Sequence, residues 1–152
     1  LDGGAPPERL TQQPGYHSGV AVARDGSYFV DQYHSTSAPA VATLCKLPPP
    51  RAADADATDA GDAGGDAPVR LYTAASDPRV ESMADVLQPP RLVSLPSTDG
   101  AVTLEAALYT PDAARFGDGP YPTVVSCYGG PHVQFVADSW TMTADPHGQM
   151  VA

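Results

Sequence analysis

Residues 121–140 read YPTVVSCYGGPHVQFVADSW. Within this stretch, residues 122–128 form a nearly continuous apolar run that Gly129 and Gly130 follow at once. Such a run is typical of a strand covered on both faces, as in a parallel sheet, and two glycines allow a sharp reversal because they lack a Cβ. The pattern predicts a buried strand that ends at Tyr128, whose side chain lies at the strand's carboxyl end, where open α/β sheets place their active sites.

Tyr128 is the candidate functional residue of this stretch. A tyrosine hydroxyl ordinarily stays protonated at neutral pH and can donate a hydrogen bond. A fixed neutral donor is what an oxyanion hole requires, and each such donor lowers a reaction barrier by roughly 2.7–4 kcal/mol. The alternative interpretation is that Tyr128 only packs, with its hydroxyl bonded to the backbone.

The sequence before residue 48 has an all-β pattern. Residues 19–23 are apolar and residues 27–33 alternate, and an Asp25-Gly26 turn between them predicts a hairpin. A further short strand is predicted at residues 41–46, and residues 69–73 can continue the pairing. Short strands at this spacing suit a sandwich, a barrel or a propeller blade.

The pattern changes near Ser76. Asp77-Pro78 is a helix start, because a capping residue precedes a proline at the first helical position. Strands are predicted at residues 92–95 and 102–108, and Asp145-Pro146 is again a helix start. We place a domain boundary at residue 76.

Composition and charge exclude several classes of function. The chain has 152 residues and a formal net charge of −10, so we expect no binding to nucleic acid, whose phosphates would repel it. No apolar stretch is long enough to cross a bilayer, and we expect no membrane segment in this chain. Residues 51–67 consist almost entirely of Ala, Asp and Gly, and we interpret them as a disordered insert. A calcium loop is the alternative there, but the EF-hand spacing is missing.

Cysteine and histidine usage gives no sign of a metal site or a cofactor. Cys45 and Cys127 are too few for a disulfide framework and are expected to be buried free thiols. The four histidines lack metal-ligand spacing. We expect neither a metal nor a cofactor, and nothing argues for secretion, so the cytoplasm is the favoured compartment.

The sequence resembles a known enzyme family. Residues 121–140 closely resemble the start of the catalytic domain in the dipeptidyl peptidase IV branch of the prolyl oligopeptidase family of serine peptidases, and Tyr-Gly-Gly-Pro-His-Val-Gln at residues 128–134 is the most specific element. Residues 15–18 and 25–29 look like the last blade of that family's β-propeller. The resemblance implies a mixed fold, in which residues 1–76 end a β-propeller and residues 77–152 begin an α/β-hydrolase domain that is truncated before the nucleophile.

The resemblance also implies an activity. Family members hydrolyse peptide bonds with a Ser-Asp-His triad, and by this match Tyr128 stabilises the oxyanion. The implied substrate is a peptide cleaved after a penultimate proline, and the implied full-length protein can be a homodimer. The chain contains no Gly-x-Ser-x-Gly motif, so we expect a fragment that is inactive alone, in which Ser126, His132 and Asp138 are not triad residues.

Two alternatives stay open at this stage. Within the enzyme class, the chain can belong to another branch, such as an acylaminoacyl peptidase or an esterase. From another class, it can be a non-catalytic interaction protein that keeps the propeller and hydrolase folds without the nucleophile. The presence of the serine in a full-length sequence would separate the last reading from the others.

Overall fold

The first part of the chain folds into a four-stranded antiparallel sheet whose strands pair in chain order. The computed structural model describes residues 9–48 and 67–152. The predicted strands are all present here, and each is longer than or equal to its predicted range. They are β1 (Tyr16–Val22), β2 (Tyr28–Ser35), β3 (Ala38–Lys46) and β4 (Val69–Thr73).

The hairpin between β1 and β2 follows from local turn chemistry. The Asp25 carboxylate accepts hydrogen bonds from the backbone N–H and the hydroxyl of Ser27, at 3.1 and 2.6 Å. Gly26 has a φ of 69°, which favours glycine because it has no Cβ. The alternation along β2 then directs Phe29 and Asp31 to one face, and both side chains are buried.

The second sheet has only two strands, which pair antiparallel. Its hairpin turn is closed by Ser97, whose hydroxyl donates to Asp99 at 2.5 Å, and by Gly100 with a φ of 70°. The strands are β5 (Arg91–Pro96) and β6 (Thr103–Leu108).

All helices of the described residues are short. Asp77 and Asp145 accept hydrogen bonds from backbone N–H groups of the helices that follow, so both predicted helix starts are confirmed. A one-turn helix also forms after Asp112, whose side chain accepts a hydrogen bond from the backbone N–H of Ala114. The helices are a 3₁₀ turn (Ala74–Ser76), α1 (Pro78–Met83), α2 (Ala113–Phe116), α3 (Trp140–Thr143) and α4 (Pro146–Val151).

The expected architecture is wrong. We expected the end of a β-propeller followed by the start of an α/β-hydrolase domain, and neither is evident in residues 9–48 and 67–152. A propeller needs several blades around one axis, and a hydrolase domain needs a parallel sheet covered by helices. The described residues instead form two separate antiparallel sheets without a parallel strand pair. The division of the chain at residue 76 remains a prediction.

The strand predicted at residues 122–128 is also absent. These residues have no regular secondary structure, and the side chains of Val124 and Val125 are 68% and 83% exposed. A buried parallel strand needs a neighbouring strand to satisfy its backbone N–H and C=O groups. Within the described residues no strand pairs with this segment.

The predicted insert and the predicted burial of the cysteines have different outcomes. Nearly all of the predicted Ala/Asp/Gly insert at residues 51–67 lies outside the described residues. The cysteines are unpaired as expected, but Cys127 is exposed and Cys45 is only half-buried, so the prediction that both are buried is wrong.

The length and polarity of a helix decide whether it can cross a membrane. No helix in the described part of the chain is long and apolar enough to cross a bilayer.

Polar groups occupy much of the buried interior. Apart from Pro90, Phe29 is the only buried apolar side chain of the described residues, whereas the polar residues Asp31, Ser35, Ser139 and Thr143 are all buried. Two of these residues lie on β2 and two lie more than a hundred residues later in the chain. The interior is therefore the place where the first sheet meets the C-terminal segment.

An ion pair connects β1 to β2. The His17 Nδ1 lies 2.7 Å from Oδ2 of Asp31, and its Nε2 lies 2.9 Å from the carbonyl oxygen of Gln13. Because both ring nitrogens face acceptors, both hydrogen bonds form only when the ring carries two protons. Burial lowers the pKa of His17, but the hydrogen bonds to Gln13 and Asp31 and the charge of Asp31 outweigh it, so the pKa is raised.

We expect Asp31→Asn to lower the pKa of His17 and to destabilise the chain. At pH 6 the free energy of unfolding should fall by about 1.5–3 kcal/mol, the range for a hydrogen bond to a charged group. A raised folded-state pKa gives stability below the unfolded value of about 6.5, and this stability is lost as the pH rises through the folded pKa. The cost of the substitution should therefore be smaller at pH 8.

Histidine ¹H–¹³C NMR titration and urea unfolding at both pH values measure these effects. An equal destabilisation at pH 6 and pH 8, with an unchanged His17 titration, would contradict the ion pair.

Candidate functional site

Tyr128 lies in an irregular segment rather than at the end of a strand. Its side chain is 50% exposed. Among the described residues no atom accepts a hydrogen bond from its hydroxyl. The hydroxyl is therefore available to a ligand, unlike the hydroxyl of Tyr121, which donates to the carbonyl of Gly117. This finding differs from the alternative interpretation, in which the hydroxyl bonds to the backbone.

Two neighbours determine where the Tyr128 ring lies. Phe135 contacts it edge-on, with ring centroids 5.0 Å apart and an interplanar angle of 77°. This T-shaped geometry is favoured for aromatic pairs. The ring also folds over Gly130, where a Cβ would lie 2.6 Å from Cζ of Tyr128. Neither Gly129 nor Gly130 has a positive φ, so their backbone conformation does not require glycine. Gly130 is needed because the Tyr128 ring comes so close to it.

An open groove of about 490 Å³ lies next to the aromatic pair. Phe135 connects the two features, since its ring contacts Tyr128 and also lines the groove. On another wall, the rings of Tyr16 and His34 stack with centroids 5.1 Å apart. We call this feature the Phe135 groove. Its polar groups come from His34, Gln134, Ser139, Thr141 and Asp145.

A set of long-range hydrogen bonds forms the Phe135 groove. The Asp138 carboxylate accepts from the backbone N–H and the hydroxyl of Thr36, both at 2.8 Å. The backbone N–H of Trp140 donates to Nδ1 of His34 at 3.1 Å, and the Thr143 hydroxyl donates to the carbonyl of Thr36 at 2.5 Å. We call these four bonds the tether. It fixes the chain three residues after Phe135 against the turn between β2 and β3.

A second depression, of about 280 Å³, lies away from Tyr128. Phe116 of α2 and Met150 of α4 line it, together with Arg115. The side-chain amide of Gln149 bonds the backbone N–H and carbonyl of Gln88 at 3.1 and 2.7 Å, which holds α4 beside this segment. These contacts are structural, and no serine, cysteine or histidine of the described residues lines this depression.

Histidine and aspartate form one ion pair in the described part of the chain, between His17 and Asp31, but this pair is not arranged for catalysis. In a catalytic triad, the nitrogen of His that does not face Asp must face the nucleophile. Here Nε2 of His17 faces the Gln13 carbonyl instead. Among the residues that we had excluded from a triad, Asp138 accepts a hydrogen bond from Thr36 and not from a histidine. In residues 9–48 and 67–152, no three His, Cys, Asp or Glu side chains are grouped in a way that could hold a metal ion.

Sequence reasoning identified Tyr128 but missed the residues around it. Gly130 was interpreted as part of a chain reversal, whereas the structure gives it a steric role. His34 and Asp138 are separated by more than a hundred residues, and no local pattern connects them. Phe135 directly follows the motif at residues 128–134, and this position is the one signal that could have linked it to Tyr128.

Comparison with known proteins adds no further assignment. No protein-family model matches the chain, and no solved structure matches it. The site must therefore be interpreted from its own residues.

We expect Gly130→Ala to displace the Tyr128 ring. The new methyl group would occupy the space of the ring, so the contact between Tyr128 and Phe135 should weaken or disappear. Gly129→Ala is the matched control, because a Cβ at Gly129 meets no atom within 4 Å. Nuclear Overhauser effects between the two aromatic rings measure the contact. Equal spectra for the two variants would show that Gly130 has no steric role.

Proposed function

We propose that this chain is part of a serine-type peptidase in which Tyr128 donates a hydrogen bond to the oxyanion. The proposal combines two supports. The first is the resemblance of residues 128–134 to the prolyl oligopeptidase family. The second, which carries the proposal, is the half-exposed Tyr128 side chain, whose hydroxyl has no acceptor among the described residues and whose ring lies over Gly130 and against Phe135, a residue that lines an open groove.

The proposed role follows from the charge that develops during acyl transfer. When a nucleophile attacks an amide carbonyl, the oxygen becomes negative and needs donors that are already in place. A neutral tyrosine hydroxyl is such a donor, and its bond to the oxyanion is stronger than its bond to the ground-state carbonyl. Tyr128 therefore acts on the transition state and contributes little to binding of the peptide.

The remaining catalytic groups have to come from outside this chain. The chain has no Gly-x-Ser-x-Gly motif, and the His17–Asp31 pair is closed by the Gln13 carbonyl. The proposal therefore requires a longer polypeptide that supplies Ser, then Asp, then His. Cleavage after a penultimate proline is part of the proposal through the resemblance alone.

A non-catalytic interaction protein is the second candidate. Large apolar side chains such as Val124, Val125 and Met150 are mostly exposed, and Phe29 is the only large apolar side chain that is buried among the described residues. Exposed apolar surface of this kind marks an interface with another protein surface. The sequence downstream of residue 152 decides between the two candidates, because an interaction protein does not need the serine.

The full-length enzyme provides the test. We expect the complete coding sequence to contain Gly-x-Ser-x-Gly and then Asp and His, and Tyr128→Phe to lower kcat by about 10²–10³ with little change in KM. Tyr121→Phe is the matched control, since the Tyr121 hydroxyl already bonds Gly117, and its kcat should stay near the wild-type value. A downstream sequence without the serine, or an unchanged kcat for Tyr128→Phe, would refute the proposed role.

A further inference from the structure

The tether connects the first sheet to the segment that carries Phe135. Asp138 and Trp140 are three and five residues from Phe135, and their partners lie at the end of β2 and in the following turn. The buried position of Thr143, which is 1% exposed, adds a third attachment point. Phe135 can therefore contact Tyr128 in one defined position only while this segment stays bound to the sheet.

One bond of the tether depends on the protonation state of a histidine. Nδ1 of His34 accepts the backbone N–H of Trp140, so this nitrogen carries no proton. The neutral ring then has its proton on Nε2. Protonation of Nδ1 would place two N–H groups against each other, and the bond would be replaced by a repulsive contact.

Charged and titratable groups approach His34 from several elements. Tyr16 of β1 stacks on its ring, His17 lies next to Tyr16, Asp138 belongs to the bound segment, and Asp145 lines the same groove. Burial lowers the pKa of His34 most, Asp138 opposes this by favouring the charged ring, and His17 adds a lowering contribution. The combined effect is a lowered pKa, which agrees with a ring that must be neutral to accept.

We propose that His34 is a proton-sensitive positioning residue whose neutral imidazole adds the Trp140 bond to the tether, so that protonation of His34 loosens the Phe135 segment and with it the Tyr128 ring. The proposal rests on the proposed function for the importance of Tyr128, although the switch itself requires no catalysis. A lowered folded-state pKa means that the stabilisation by neutral His34 is present above about pH 6.5 and is lost as the pH falls through the folded pKa.

The bond of His34 and the ion pair of His17 depend on pH in opposite directions. The His17–Asp31 pair is strongest at low pH, because its ring must carry two protons. The tether is strongest at neutral pH, because the His34 ring must carry only one proton to accept the Trp140 N–H. Acidification therefore removes one of the four tether bonds and loosens the Phe135 segment, while the hairpin of β1 and β2 stays intact.

Backbone amide exchange at Trp140 gives the most local measurement. We expect the Trp140 N–H to be protected at pH 7.5 and to lose most of its protection factor at pH 5, after correction for the intrinsic pH dependence of exchange. The contact between the Tyr128 and Phe135 rings, followed by nuclear Overhauser effects, should disappear over the same pH range. Amides in the middle of β2 should keep their protection and serve as an internal reference.

Substitutions separate a titrating acceptor from simple packing. His34→Asn replaces Nδ1 by an amide oxygen that accepts at any pH, so protection of Trp140 should persist at pH 5. His34→Ala removes the acceptor, so protection should be low at both pH values. His147→Asn is the control for loss of an exposed histidine, and it should behave like the wild-type chain.

Asp138→Asn tests the charge that faces His34. The amide oxygen can still accept from Thr36, but the negative charge that favours protonation of His34 is gone, so the pH of opening should move downward. Wild-type protection that is the same at pH 7.5 and pH 5, or His34→Asn opening like the wild type, would overturn the proposal. These measurements require no enzymatic activity. A failure of the proposed pH switch can therefore be distinguished from a failure of the proposed peptidase function.

Discussion

The hydrogen bonds between Asp138 and Thr36 are the interaction on which the rest of this structure depends. Phe29 is the only buried apolar side chain in the strands of the four-stranded sheet. The bonds that join the sheet to the C-terminal segment are polar, and the Asp138 carboxylate accepts two of the four, both at 2.8 Å from Thr36. Asp138 is half-buried, and a partly desolvated carboxylate that lost these donors would be costly. These bonds therefore favour the position of the segment that lines the Phe135 groove.

Charge distribution around the sheet gives the two histidines opposite roles. They lie on adjacent strands, yet His17 uses both nitrogens as donors and His34 uses Nδ1 as an acceptor. The difference comes from their neighbours, a carboxylate and a carbonyl for one ring and a backbone N–H for the other. A single change in pH therefore acts in opposite directions on the hairpin and on the tether, and only the second reaches Tyr128.

Local chemistry explains which parts of the structure could be predicted from the sequence. The Asp25-Gly26 turn, the alternation along β2 and the proline-marked helix starts after Asp77 and Asp145 depend on neighbours in the chain, and all are present. The run at residues 122–128 was misjudged because burial of a strand depends on distant partners, which the described residues do not supply. The tether joins residues 102 positions apart, and no spacing rule could predict it.

The candidate site consists of the motif at residues 128–134 and the contact between Tyr128 and Phe135, and this contact depends on the tether. Without it, Phe135 has no fixed place and Tyr128 no defined neighbour. A double-mutant cycle on Thr36→Val and Asp138→Ala, measured by urea unfolding at pH 7.5, tests this link directly. We expect a coupling free energy of about 0.5–3 kcal/mol between the two positions. Additive effects, with no coupling, would contradict the central claim that this contact holds the site together.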